Sequence, residues 1–299
     1  MFDFMVQRIG IDQMKRRDFL TVPAVAASVS VISSAAEAAQ QKSRVRQSVM
    51  GWCFKPMEPI ALAKQAKLIG LEALEGIPAS SYPEVVASGL QISLVGSHGF
   101  ANGPLDPANH SEVEAKLREG IDLAVKYNAP NVITFTGMQK SGISDEMAKK
   151  NCLASWKRVI GYAEEKGIGI VLEHLNSKDD SHPMKGHPGY WGDDLHRCAD
   201  LVRAMDSPKF KLLFDLYHVQ IMHGDLIRNI RQYQSIIGHY HTAGNPGRGE
   251  LNDQQEINYP PVIRAIVATG YQGFIAQEFI PTSDDPMRSL REAYTVCDV

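Results

Sequence analysis

Four side chains of the kinds that bind metal ions stand at the ends of short apolar runs in the second half of the chain. They are Glu173, Asp215, His241 and Glu278, and they are separated by 42, 26 and 37 residues. Three carboxylates and one imidazole form a hard, oxygen-rich ligand set. Such a set favours Mn²⁺, Mg²⁺ or Co²⁺ and permits Zn²⁺. The pattern therefore predicts a divalent metal site, provided that the fold brings the four residues together.

Two glutamates on opposite sides of such a site indicate proton transfer at a carbon next to a carbonyl. A divalent ion polarises the carbonyl and stabilises the enediolate, while one carboxylate removes a proton and the other returns one. Glu173 and Glu278 are the predicted pair. A single acid at a strand end is more often solvated or salt-bridged, and a single histidine is more often packed. Four such residues at matching positions favour a shared site.

The elements that must position these residues are predicted to form a (β/α)8 TIM barrel. Residues 40–299 contain eight apolar runs that alternate with amphipathic segments, which indicates parallel strands covered by helices. No GxGxxG motif follows the first run, which argues against a dinucleotide-binding sheet. In a parallel barrel all strand C-termini open on the face where active sites lie. The predicted strands are Arg46–Met50, Leu71–Glu75, Ile92–His98, Asn131–Phe135, Ile168–Glu173, Phe210–Asp215, Ile236–His241 and Gly273–Glu278.

Two of the predicted helices rest on specific local signals. Ser111, with Glu114 three residues later, forms a capping-box pattern that predicts a helix start. The stretch Met147–Lys166 is predicted as one helix that ends at Gly167.

The N-terminal residues 1–39 have the parts of an export signal. Lys15-Arg-Arg-Asp-Phe-Leu20 precedes an apolar run, and Ala36-Glu-Ala38 offers a cleavage site. The paired arginines make the segment resemble a twin-arginine signal, which predicts a periplasmic or otherwise exported protein. Met14 is an alternative start to Met1, and an ordinary amphipathic first helix is the alternative structure.

The composition of the chain indicates which kinds of molecule the protein is expected to bind. The chain has 299 residues, of which 44% are hydrophobic and 22% charged, and its net charge is −3. This charge argues against a general nucleic-acid binder, and residues 40–299 contain no apolar span of transmembrane length. The four cysteines are far apart and are interpreted as buried free thiols. Assembly into a homo-oligomer is compatible with the sequence.

Five motifs in the second half of the chain are distinctive: Leu172-Glu-His-Leu-Asn176, Phe214-Asp-Leu-Tyr-His-Val-Gln220, Gly244-Asn-Pro-Gly-Arg-Gly-Glu250, Glu256-Ile-Asn-Tyr259 and Gly270-Tyr-Gln-Gly273. Together they resemble hydroxypyruvate isomerase, within the xylose-isomerase-like barrel superfamily. The resemblance implies that Glu173 and Glu278 are the acid/base pair and that Asp215 and His241 complete the metal site. Hydroxypyruvate isomerases often have Gln where this chain has His241, and sugar epimerases of the superfamily have His.

Five further residues are predicted to contact the substrate. His218 lies one helical turn after Asp215 and would reach a substrate oxygen, or else would be a hydrogen-bonded residue at a helix start. Arg248, in a glycine-rich loop, could pair with a substrate carboxylate or be solvated. Asn176 would orient Glu173 or bind a hydroxyl. The other two, Glu75 and His98, end the second and third strands and would line the pocket wall.

The leading functional hypothesis is a metal-dependent ketose–aldose isomerase that acts on hydroxypyruvate or a small sugar. The long loop from Asp179 to Trp191 is predicted to be a lid over its site. Alternatives with the same chemistry are a keto-sugar 3-epimerase and a polyol dehydratase or lyase. The non-enzymatic alternative is a periplasmic sugar-binding protein, which would not need paired carboxylates.

Overall fold

The computed structural model describes residues 45–299, and the predicted export signal lies outside them. Eight parallel strands form one sheet in the order β3-β2-β1-β8-β7-β6-β5-β4. A parallel bridge between Val95 and Val132 joins the two ends of this order, which closes the sheet into a ring. The predicted (β/α)8 barrel is confirmed. The strands are β1 Arg46–Met50, β2 Ala73–Glu75, β3 Gln91–Ile92, β4 Asn131–Thr134, β5 Gly169–Glu173, β6 Phe210–Asp215, β7 Ile237–Thr242 and β8 Phe274–Gln277.

The helices pack around this sheet and bury the outward-facing side chains of the strands. Short 3-10 turns cover Gly51–Phe54, Ala79–Ser81, Pro107–Asn109 and Gln234–Ile236. The α-helices are α1 Pro59–Ile69, α2 Tyr82–Ala87, α3 His110–Tyr127, α4 Asp145–Trp156, α5 Ile160–Lys166, α6 Leu195–Met205, α7 Leu216–Met222, α8 Leu226–Tyr233, α9 Tyr259–Ala268 and α10 Pro286–Cys297.

Alternation along the strands decides which side chains enter the barrel. In β5, Ile170 and Leu172 belong to the main core against the helices, whereas Val171 belongs to a separate small cluster with Leu213 of β6. Successive side chains of a strand point to opposite faces. The alternation that places Val171 inside the barrel therefore places Glu173, two residues later, inside its mouth.

The register of neighbouring strands brings the next ligands to the same level. Asp215 is paired with His241 across β6 and β7, and Leu213 is paired with His239. An irregularity in this pairing at Leu212/Leu213 lies opposite Gly238. After this irregularity, His239 and His241 both lie on the inward face of β7 and point to the centre of the barrel.

Two local predictions were wrong. The helix α3 begins at His110 and its N-cap residue Asn109 makes no side-chain capping bond, so Ser111 does not cap it. Asp106 instead caps the preceding 3-10 turn through the amide of Ala108. The predicted helix Met147–Lys166 is two helices, because α4 ends at Trp156 and α5 begins at Ile160.

The four cysteines are buried free thiols, as predicted. Within residues 45–299, none of the helices has the length and apolar character needed to cross a bilayer.

Candidate active site

The four predicted ligands meet at the C-terminal mouth of the barrel. Glu173 ends β5, Asp215 ends β6, His241 lies in β7 and Glu278 follows β8 directly. One ligand atom from each lies within 4.8 Å of the others, and all four residues are buried. Nδ1 of His241 is 2.8 Å from Oε2 of Glu278 and 3.2 Å from Oε1 of Glu173. The arrangement is compact enough for one ion to contact all four.

The same four atoms form no hydrogen bond of normal geometry. Oε1 of Glu173, Oδ2 of Asp215, Nδ1 of His241 and Oε2 of Glu278 are buried and have no hydrogen bond that satisfies normal geometry. Buried polar groups in folded proteins nearly always form hydrogen bonds, so four buried polar atoms that face one point without such bonds are unusual. A divalent cation would satisfy them together, and three carboxylate oxygens with one imidazole nitrogen suit such an ion. These residues therefore fit the predicted metal.

The charges of the ligand residues also favour a cation between them. Burial and the charge of Glu278 raise the pKa of Asp215 to about 7. Burial likewise raises the pKa of Glu173. Burial alone would lower the pKa of His241, but Glu278, Glu173 and Glu75 together raise it well above its usual range. The carboxylates thus stabilise a cation among them.

Arg248 supplies one fixed cation beside Glu278. Its Nη2 is 2.6 Å from Oε2 of Glu278, and its Nη1 donates to the carbonyl of Met184 at 2.7 Å. Burial would raise the pKa of Glu278, but Arg248 and His241 outweigh it and hold that pKa at about 2. The rings of Trp52 and Tyr217 lie 5.3 and 5.6 Å from the guanidinium carbon. Arg248 is therefore locked into the site, and its predicted contact with a substrate carboxylate stays a prediction.

His218 also faces the cluster, with its orientation set by Asn176. Nδ1 of His218 accepts from the backbone amide of Asn176 at 3.1 Å and lies 2.7 Å from that side chain's Nδ2. The proton of the neutral ring is therefore on Nε2, which is 3.5 Å from Oδ2 of Asp215 and has no hydrogen-bond partner. Burial lowers the pKa of His218 well below its usual range. His218 is a neutral donor aimed into the site.

Three predicted substrate contacts are occupied by the protein itself. Asn176 is fully buried, and its side-chain amide binds the carbonyl of Lys185 and the amide of Asp179 as well as His218, so its partners within the protein do not include Glu173. Both nitrogens of His98 are engaged, by Thr134 and by the carbonyl of Gly99. Glu75 lies behind His241 and not at the pocket wall.

The loop that follows β5 lies over the site, where a lid was predicted. The hydrogen bond from Arg248 to the carbonyl of Met184 connects this loop to the four ligand residues. Its His187 lies with its ring 4.2 Å from that of Phe100 and 6.2 Å from that of His218. A Cβ on Gly186 would be 2.1 Å from the carbonyl oxygen of Asp179, so only glycine permits this fold of the loop. Whether the loop opens stays a prediction.

Sequence reasoning missed one member of the buried network. His239 is fully buried, and its Nε2 is 3.0 Å from Oε2 of Glu75. A signal was present, because His239 stands two residues before His241 and so shares its face of the strand. The partner was not predictable, because 164 residues separate the two in sequence.

Comparisons with known proteins agree with this fold. A human protein named "Putative hydroxypyruvate isomerase" is 27% identical over 79% of this chain and 89% of its own length. The 2-oxo-tetronate isomerase of Pectobacterium atrosepticum is 28% identical over 55% of this chain and 61% of its own length, which is less than two thirds of that protein.

A solved structure of an Escherichia coli 3-keto-D-glucoside 4-epimerase superposes with a TM-score of 0.70. It is 17% identical and covers 85% of this chain and 98% of its own, so it supports the fold alone. Residues 84–295 match the model of the family described as xylose isomerase-like TIM barrel. The chain therefore belongs to the xylose isomerase-like TIM barrel family.

Proposed function

We propose that this protein is a divalent-metal-dependent isomerase that moves a proton between neighbouring carbons of a small hydroxy-keto acid or sugar. The observation that carries the proposal is the cluster of four convergent, buried ligand atoms of Glu173, Asp215, His241 and Glu278, which form no hydrogen bond of normal geometry. The isomerase names of the two relatives support the reaction class. Hydroxypyruvate, with tartronate semialdehyde as product, is the first substrate pair to test.

The four ligands and the two glutamates among them have distinct roles in the proposed reaction. A divalent ion held by the four ligands would polarise the substrate carbonyl and stabilise the negative charge of an enediolate. Glu173 and Glu278 each place a carboxylate oxygen within 3.2 Å of Nδ1 of His241, so a substrate bound at the ion would have both carboxylates nearby. One removes a proton and the other returns one to the neighbouring carbon.

Other side chains would bind and orient the substrate. His218 presents a neutral Nε2–H donor to a substrate oxygen beside Asp215. Arg248 supplies positive charge from a buried position and is hydrogen-bonded to the loop after β5 through the carbonyl of Met184. Burial lowers the local dielectric and so strengthens each of these electrostatic contacts.

A conversion assay with a small panel tests the proposal. The purified protein is supplied with Mn²⁺ and with hydroxypyruvate, 2-oxo-tetronate or a neutral ketohexose, and products are identified by NMR. We expect aldose–ketose interconversion of an acid substrate. Inversion at C3 of the ketohexose would instead assign an epimerase, which uses the same two glutamates. Failure to convert any member while Mn²⁺ is bound would contradict the proposed substrate class.

A further inference from the structure

Glu75 has a hydrogen-bond environment that is divided unequally between its two oxygens. Its Oε1 is 2.8 Å from Nε2 of His241. Its Oε2 accepts from the hydroxyls of Ser48 and Ser93 at 3.2 and 2.5 Å and is 3.0 Å from Nε2 of His239. The residue is completely buried. All four contacts come from groups that can donate, so the carboxylate has the partners that an ionised buried acid needs.

The position of Glu75 as an acceptor restricts His241. Both of its oxygens face groups that can donate, with His241 at Oε1 and two serines and His239 at Oε2. A carboxylate only accepts hydrogen bonds, so Nε2 of His241 must carry a proton. The other ring nitrogen, Nδ1, is the one that faces Glu173 and Glu278.

We infer that Glu75 is a positioning residue, which holds the Nε2 proton of His241 and so reserves Nδ1 as the ligand nitrogen of the metal cluster. This inference rests on the metal site of the proposed function. A histidine ligand commonly donates its second N–H to a carboxylate, which fixes the ring and makes the ligand nitrogen more basic. Here the carboxylate comes from β2, on the opposite side of the barrel.

The group formed by Glu75, His239 and His241 could also be considered as a second ion site. Its distances of 2.8 and 3.0 Å between nitrogen and oxygen are ordinary hydrogen-bond lengths. Two serine hydroxyls fill further acceptor positions of the same carboxylate. The group is therefore a hydrogen-bond network that supports the four ligand residues next to it.

Glu75→Gln tests this role with almost no change in shape. A glutamine has one oxygen and one NH2 group in place of two oxygens. Three donors surround the Oε2 position and one faces the Oε1 position, so the amide oxygen should take the former and the NH2 should face His241. That NH2 needs an acceptor, which moves the ring proton from Nε2 to Nδ1. The proton would then occupy the position of the metal.

The matched control is Ser48→Ala. It removes one hydrogen bond to Oε2 of the same buried carboxylate but leaves the contact between Glu75 and His241 in place. A purely structural role of the buried network predicts similar effects of the two variants on melting temperature and no effect of either on metal affinity.

Wild-type protein and both variants are stripped of metal, checked for folding by circular dichroism, and titrated with Mn²⁺ by calorimetry. We expect Glu75→Gln to weaken Mn²⁺ binding about 10- to 100-fold, with Ser48→Ala unchanged. Nitrogen-15 NMR of Zn²⁺-loaded wild-type protein should show the His241 proton on Nε2. That spectrum decides the question even if Glu75→Gln does not fold.

Equal Mn²⁺ affinity of folded Glu75→Gln and wild-type protein would overturn the inference and leave the metal site standing. A Zn²⁺-loaded spectrum with the proton on Nδ1 would overturn the inference and would also remove His241 from the proposed ligand set. A wild-type protein that binds neither Mn²⁺ nor Zn²⁺ would overturn the proposed function together with the inference.

Discussion

Replacing either Glu173 or Glu278 by glutamine should lower turnover of the true substrate about 10²- to 10⁴-fold, which is the usual contribution of a positioned acid or base. Glutamine keeps the shape and one oxygen but cannot exchange a proton near neutral pH. Steady-state rates and circular dichroism of both variants measure the effect and the integrity of the fold. Near wild-type activity of either variant would show that the two-glutamate mechanism is wrong.

The two variants should differ in stability. Glu278→Gln removes the charge 2.6 Å from Arg248, whose side chain is 3% exposed, and leaves it with Asp215 at 3.7 Å. An underpaired buried cation costs about 1–3 kcal/mol. Glu173 is paired with His241 at 3.2 Å, and His241 keeps Glu278 at 2.8 Å when Glu173 is replaced, so Glu173→Gln should unfold at a higher temperature than Glu278→Gln. Glu164→Gln, on the exposed part of α5, is the control and should keep full turnover.

Asp215→Asn should abolish tight metal binding and leave the fold intact. The asparagine oxygen can still accept from the amides of Tyr217 and His218 at the start of α7, which Oδ1 of Asp215 now binds. Its NH2 group would replace Oδ2 in the cluster, where a donor cannot bind a cation. Burial and Glu278 already disfavour the charge of Asp215 in the metal-free protein, so its loss should cost little stability.

Metal content after dialysis, measured by elemental analysis, tests this prediction. Asp194→Asn is the matched control, since Asp194 caps α6 in the same way but lies outside the cluster. It should retain the metal content of the wild-type protein. Full occupancy in Asp215→Asn would refute the assignment of Asp215 as a ligand.

The barrel and its four convergent residues were predictable because both follow from short-range patterns. Period-two alternation determines which residues of β5 and β6 face inward, and parallel connections place all strand ends on one face. The polar network behind the ligands was not predictable. Strand ends of β2 and β7 suggested only that Glu75 and His241 were near the mouth, and 166 residues separate them in the chain.

Competing local contacts explain the other differences. Asn176 was predicted to orient Glu173 or to bind a substrate hydroxyl, whereas its side-chain amide binds three groups of the protein, in His218, Lys185 and Asp179. The capping pattern at Ser111 was displaced because Asp106 starts a 3-10 turn that leads directly into α3. At Asn176 and at the start of α3, the structure is determined by a contact that the local sequence pattern does not show.

The central claim is that Glu173 and Glu278 move a proton at a carbon next to a carbonyl beside a bound metal ion. Deuterium incorporation from D2O into that carbon, followed by NMR in wild-type protein with and without Mn²⁺, tests it most directly. We predict exchange that requires Mn²⁺ and is lost in Glu173→Gln and Glu278→Gln. Substrate conversion without any deuterium incorporation, or exchange that is equally fast after metal removal, would contradict the claim.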